Sequence, residues 1–208
     1  MAAALDIREL PVPVVQAGMG SVARHELAAA VSEAGGLGTI AGARAPIARE
    51  LAAARRLTGR PVAVNLLLPF LRPGDAEAAA EADLVITFWG RPRRLSSAPW
   101  VHQCGSVAEA RAAAAAGADA VIAQGVEAGG HVRGTVPGFE LLGQIRAAVS
   151  VPVLVAGGIV DRPGVKAALD AGAVAAVVGT RFLASEESRV HPDYKQRCLQ
   201  AGRCCSAG

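Results

Sequence analysis

The sequence predicts an α/β protein of the parallel eight-stranded (β/α)8, or TIM, barrel class, and three observations predict it. First, eight short runs are apolar at nearly every position: Val14–Met19, Gly36–Ala41, Pro61–Leu68, Leu84–Trp89, Trp100–Gly105, Ala120–Gln124, Val151–Ile159 and Ala175–Leu183. A parallel strand covered on both faces reads this way, whereas a half-exposed strand alternates. Second, Ala-rich stretches with helix-end signals lie between several of these runs. Third, a helix–Ala-Gly-Ala–strand unit recurs, at Ala116-Gly117-Ala118 before Val121 and at Ala171-Gly172-Ala173 before Val177. Strand–helix units joined by short turns build parallel sheets. Eight strands favour closure over an open doubly wound sheet of five or six strands, the alternative.

The helices follow in order. His25–Ala34 ends at Gly35-Gly36, a C-cap signal. Ser106-Val107-Ala108-Glu109 is a capping-box pattern opening Ala108–Ala116, which Gly117 closes. Asp161 caps a helix with Pro163 in its first turn, running to Asp170 and closed by Gly172. Glu186–Leu199 supplies the last helix. Two crossovers are lean: Pro69–Asp83 between strands three and four, and Gly90–Pro99 between four and five, too little for a full helix. The barrel accounts for 1–201, and 202–208 reads as a frayed, disordered tail because it has no helical or strand period.

Composition narrows the function. With 208 residues, 52% hydrophobic and 19% charged, the chain buries a substantial core and is not disordered. Its apolar runs are broken before the roughly 18–20 residues a membrane helix needs. The opening MAAALDIREL has no basic region before an apolar stretch and does not read as a secretion signal. Net charge is +3 with dispersed basic residues, so no nucleic-acid face is expected, and Arg91–Arg94 reads as a solvated loop. Cys104, Cys198, Cys204 and Cys205 form no CxxC pair, which argues against a metal site and for a cytoplasmic protein with reduced thiols. Cys104 reads as a small core residue.

In a parallel barrel the active site lies at the C-terminal ends of the strands. Polar and glycine-rich features collect there: Gln16-Ala17-Gly18-Met19-Gly20 after strand one, Asn65 inside VAVNLLL, Gln124 ending strand six, and Gly125 to His131 beyond it. Gly157-Gly158 and Gly179-Thr180 end the adjacent strands seven and eight. Glycines let backbone N–H groups approach a phosphate, and this fold often builds its phosphate site after strands seven and eight. Tight turns alone are the competing explanation. Asn65 and Gln124 either satisfy neighbouring backbone or hold the edge of a planar cofactor, a task an amide suits because it donates and accepts. His131 is the candidate proton-transfer group, since an imidazole exchanges protons near neutral pH. Glu127 reads as a cap for the loop rather than its partner. His25 and His191 fall on helix faces and His102 lies within strand five, all structural or solvated. Gly36-Leu-Gly-Thr-Ile-Ala-Gly42 has GxGxxxG spacing, not the dinucleotide fingerprint.

PVVQAGMG, VNLLLP, AQGVEAGGH, VLVAGGI and GTRFLASEES followed by HPDYK resemble the nitronate monooxygenases, once called 2-nitropropane dioxygenases, from about Pro13 to Gln200. The resemblance implies a (β/α)8 barrel with non-covalent FMN. It implies oxidation of alkyl nitronates by O2 to carbonyl compounds and nitrite, through one-electron transfer to and from the flavin. By residue match the flavin contacts are Gly18, Met19, Asn65, Gln124, Gly129, Gly158, Gly179 and Thr180, with Gly157 beside Gly158 in the phosphate turn. His131 matches the family's active-site histidine. The partners implied are small molecules, the nitronate and O2, and a homodimer is compatible with the reading. Family members continue beyond HPxYK, whereas this chain runs out in GRCCSAG; the resemblance therefore implies a C-terminally shortened barrel with apolar surface left bare. The competing functions are an FMN-dependent enoyl-thioester reductase using NAD(P)H, an inactive remnant, and a phosphosugar isomerase, which no carboxylate base at a strand end supports.

Overall fold

The computed structural model describes residues 5–43 and 45–200. Eight strands run parallel: β1 Val14–Gln16, β2 Gly38–Ala41, β3 Val62–Leu67, β4 Leu84–Phe88, β5 Trp100–Cys104, β6 Ala120–Gln124, β7 Val153–Ala156 and β8 Ala176–Val178. Their hydrogen-bonded order is β1-β8-β7-β6-β5-β4-β3-β2. A parallel bridge from Val15 to Leu37 joins the two ends, with Gln16 N–H donating to the Leu37 carbonyl at 2.9 Å. The sheet is therefore a closed barrel, not the open alternative.

Alternate residues separate inside from outside. Val15, Leu37, Ile86, Ile122, Leu154 and Val177, contributed by different strands, pack on one another in the interior. Their neighbours in sequence face the helices, as Val121 and Val155 do against Leu141 and Ile145. The helices are α1 His25–Glu33, α2 Ile47–Leu57, α3 Asp75–Ala79, α4 Val107–Ala115, α5 Gly138–Arg146, α6 Arg162–Asp170 and α7 Pro192–Gln200. A 3-10 turn, Ile7–Glu9, packs Ile7 into the interior cluster at the strands' N-terminal end. That leaves the C-terminal end as the mouth.

Helix ends follow the sequence signals. Gly35, Gly117 and Gly172 take φ of 92°, 86° and 89°, the left-handed turn glycine provides. Asp161 accepts from Gly164 N–H at 2.8 Å, and Ser106 Oγ accepts from Glu109 N–H at 3.2 Å. The capping box is only half formed, because the Glu109 carboxylate reaches one residue further back, to Gly105 N–H at 2.7 Å.

Several boundaries differ from the sequence expectation. β1, β7 and β8 are shorter than their apolar runs, because Ala17-Gly18, Gly157-Gly158 and Gly179-Thr180 are uncharged but turn. The last helix begins at Pro192 rather than Glu186. Proline lacks an N–H and restricts the residue before it, so it starts a helix instead of lying within one. Arg94 is not merely solvated: it donates to the carbonyls of Ala98 and Gly117 and to Asp119 Oδ2 at 2.9 Å. The expected tail, 202–208, lies outside the described residues. Among the described residues no helix is long and apolar enough to cross a membrane, and no three His, Cys, Asp or Glu side chains cluster as metal ligands.

Candidate active site

The mouth is assembled from five loops and strand ends. After β1, Gly18 lies so close to β3 that a Cβ there would sit 2.6 Å from Asn65 Cβ. Met19 follows it and borders Gly179 after β8, where an added Cβ would meet nothing nearer than 3.4 Å. Asn65 is half-buried, its Nδ2 3.5 Å from the Ile86 carbonyl. Gln124, at the end of β6, is 4% exposed. Its Nε2 donates to the His131 carbonyl at 3.2 Å, while its Oε1 is buried with no partner. An unpaired buried acceptor costs about 1–3 kcal/mol, so this oxygen is set for a donor from outside the chain.

The loop after β6 carries Gly129 and His131. It is tied at both ends. Glu127 accepts from Gly138 N–H at 3.0 Å, so it caps α5 and closes the loop rather than pairing with the histidine. Arg133 pairs with Glu109 at 2.8 Å, and Gly134 packs directly on Gly105 at the end of β5. Gly129 meets the loop after β8: a Cβ on it would lie 2.6 Å from Thr180 Oγ1. Gly157 and Gly158 take φ of 126° and 67°, conformations that L side chains rarely adopt. Thr180 opens a 3-10 turn, Thr180–Ala184, directly after Gly179.

The structure thus brings every sequence-selected residue to one end of the barrel and puts several in contact. The residues fit a flavin phosphate and ring. Glycine turns leave backbone open after β7 and β8, and a buried amide oxygen waits for a donor at the end of β6.

Two mouth residues escaped the sequence analysis. Gln103 is in register with Phe88 and Ile122 and shares the inward parity of Val101, so it faces the mouth. Trp89 follows β4 with φ of 62°, and its ring meets the His131 ring edge-on at 5.3 Å between centroids. Gln103 could have been found as a second amide in an apolar strand. Trp89 carried no signal, because an aromatic at the end of an apolar run reads as core.

Two hollows lie away from this mouth. One of about 560 Å³ is flanked by Ile47, Arg49, Arg72 and Asp75; one of about 430 Å³ lies at the opposite end, under Ile7, Val101 and Pro152. The first holds an Arg72–Asp75 pair and the second faces strand starts, so neither displaces the mouth as the site.

The closed eight-stranded parallel sheet with its glycine-rich mouth defines a (β/α)8-barrel protein. The nitronate monooxygenase family profile matches residues 2–103 and 91–205, and the chain belongs to that family, whose members are flavin-dependent. It is 39% identical to the Mycobacterium tuberculosis "(3aS,4S,5R,7aS)-5-hydroxy-7a-methyl-1-oxo-octahydro-1H-indene-4-carboxyl-CoA dehydrogenase", covering 91% of this chain and 58% of the relative. It is 35% identical to a nitronate monooxygenase of Pseudomonas aeruginosa, covering 88% of this chain and 69% of the relative. FabK from Thermotoga maritima superposes with a TM-score of 0.86 at 36% identity, over 93% of this chain and 66% of that one. The nitroalkane oxidase of Streptomyces ansochromogenes superposes with 0.80 at 35% identity, over 90% and 70%. The chain spans a little over half the length of the Mycobacterium tuberculosis relative.

Proposed function

We propose that the chain binds FMN in the barrel mouth and oxidises alkyl nitronates with O2 to carbonyl compounds and nitrite. The observation that carries this reading is the unpartnered Gln124 Oε1, buried beside the His131 loop at the end of β6, where Gln124 pairs with Ala156 of β7. When bound, the flavin would supply the redox chemistry, taking electrons from the substrate and passing them to O2.

The chain's own residues do the rest. Backbone N–H groups at Gly157, Gly158, Gly179 and Thr180 hold the phosphate, with left-handed turns exposing the main chain at the first two. Gln124 and Asn65 hold the polar edge of the ring, and Gly18, Met19 and Gly129 give it room. His131, exposed on the rim with its main chain held by Gln124, removes the proton alpha to a nitro group or orients the anion that results.

A second reading is a reductase acting on an enoyl thioester at the expense of NAD(P)H. The carboxyl-CoA dehydrogenase relative favours it, because its name places a CoA thioester in a site of this family. One experiment separates the two. The purified protein is loaded with FMN and titrated anaerobically, first with propyl-2-nitronate and then, in a fresh sample, with NADH and NADPH. Bleaching of the flavin band by the nitronate supports the oxygenase. Bleaching only by the pyridine nucleotides supports the reductase. A colourless protein that takes up no FMN refutes both.

A further inference from the structure

We infer that Trp89 is a substrate-recognition residue: its indole N–H donates a hydrogen bond to an oxygen of the bound substrate beside His131. The inference rests on the mouth being the substrate site and adds a residue to it.

Three observations carry it. Trp89 Nε1 is buried and has no acceptor, although a buried indole N–H ordinarily finds one. The other tryptophan shows the ordinary case: Trp100 Nε1 donates to Thr87 Oγ1 at 2.6 Å. Next, Trp89 is the one non-glycine residue with positive φ among the described residues. A bulky side chain holds that conformation only where its surroundings demand it, and such outliers gather at functional sites. Last, the ring's neighbours place it at the chemistry. It meets His131 edge-on at 87° between planes, and it also contacts Phe88 at 5.7 Å and Phe70 at 6.4 Å between centroids.

Phe70 is 62% exposed, so it is the wall free to give way when a ligand enters. An oxygen that arrives next to the imidazole then becomes the indole's acceptor. The ligand class is set by this pairing: a small molecule with an oxygen acceptor on the reacting group, such as a nitronate oxygen or a thioester carbonyl.

The chain's two tryptophans make the test direct. Protein labelled with 15N and loaded with 5-deaza-FMN, which does not support one-electron turnover, shows two indole cross-peaks, assigned with Trp89→Phe. Adding propyl-2-nitronate is expected to move the Trp89 peak downfield and leave the Trp100 peak in place. Trp89→Phe keeps an aromatic ring against His131 but removes the donor. It is expected to keep the melting temperature and FMN affinity and to weaken nitronate binding about tenfold, the worth of one hydrogen bond. If the nitronate bleaches the FMN protein yet the Trp89 peak stays and Trp89→Phe binds nitronate as tightly, the proposal is wrong while the site assignment survives. If the nitronate bleaches nothing and moves neither peak, both fall.

Discussion

Acid sensitivity of the fold should trace to one strand residue, His102. It faces outward from β5 and is 1% exposed. Thr87 Oγ1 lies 2.7 Å from its Nδ1 and also accepts the Trp100 indole N–H. The hydroxyl can donate to Nδ1 while it accepts from the indole, the arrangement that suits a neutral ring with its proton on Nε2. Burial, and secondarily the positive charge of Arg133, pushes the imidazole down to about 4 from 6.5. In the unfolded chain the ring titrates near 6.5. Between these values the unfolded state binds a proton that the folded state refuses, so stability falls as pH falls. One pH unit is worth about 1.36 kcal/mol. Going from pH 7 to pH 5 covers about 1.5 units of that window and should remove about 2 kcal/mol. The full window, down to about pH 4, should remove about 3 kcal/mol. Urea unfolding at pH 7, 6 and 5 measures this directly. His102→Asn, and His102→Gln as a second form, keep a polar group near Nδ1 but do not titrate, so their unfolding should lose about 2 kcal/mol less over the same range. Equal pH slopes in wild type and both variants would refute the buried neutral ring.

The remaining predictions concern the mouth and the core. Gly179→Val places its Cβ where the fold leaves space and keeps its N–H, so the melting temperature should hold while the added methyls crowd the phosphate off the main chain and FMN affinity falls about tenfold or more, as when one charge-assisted hydrogen bond is lost; unchanged affinity in a fluorescence titration would sink the phosphate placement. His131→Ala should retain bound FMN and lose about 10²–10⁴ in kcat/KM on neutral nitroalkanes, with a smaller loss on preformed nitronates; full activity on both would remove it as the base. Cys104 is fully buried and burial raises its thiol pKa, so iodoacetamide should leave it unmodified in the native protein and label it in urea, as read by peptide mass spectrometry.

Much of the barrel was legible because a strand buried on both faces announces itself by composition alone. Ala120–Gln124 was read to the residue. The errors fall where composition is blind to direction: Ala17-Gly18 and Gly157-Gly158 are uncharged like the strands they follow, yet they turn. The amides were legible for the opposite reason. Asn65 and Gln124 are conspicuous in apolar runs, and a polar group in a strand must be answered by something. What the sequence hides is pairing across the mouth. That Gly129 abuts Thr180 and Gly18 abuts Asn65 depends on loops distant in the chain. Nor does a Phe-Trp-Gly step reveal which residue takes the left-handed turn.

The shortened crossover and the site geometry have a common cause. The connection from β4 to β5 runs only from Trp89 to Pro99, and it must return along a five-residue strand, a distance of about 17 Å. Those residues as a helix would reach only about 16 Å and leave nothing for the turns, whereas extended they reach roughly 36 Å. The chain must therefore reverse at once and cross as an extended strap. Trp89 and Gly90 make that reversal, with φ of 62° and 71°. Arg94 then fastens the strap, lying 5.8 Å over the Trp100 ring and pairing with Asp119, whose carboxylate also accepts from Trp100 N–H at 2.7 Å. Arg94 and Trp100, together with Leu95 and Ala98 packed on the core at Val85, thus cover a strand pair that a helix covers elsewhere in the barrel. The family profile's two matched stretches overlap at 91–103, on this same connection. In this chain the tight reversal is what turns Trp89 over the mouth and against His131.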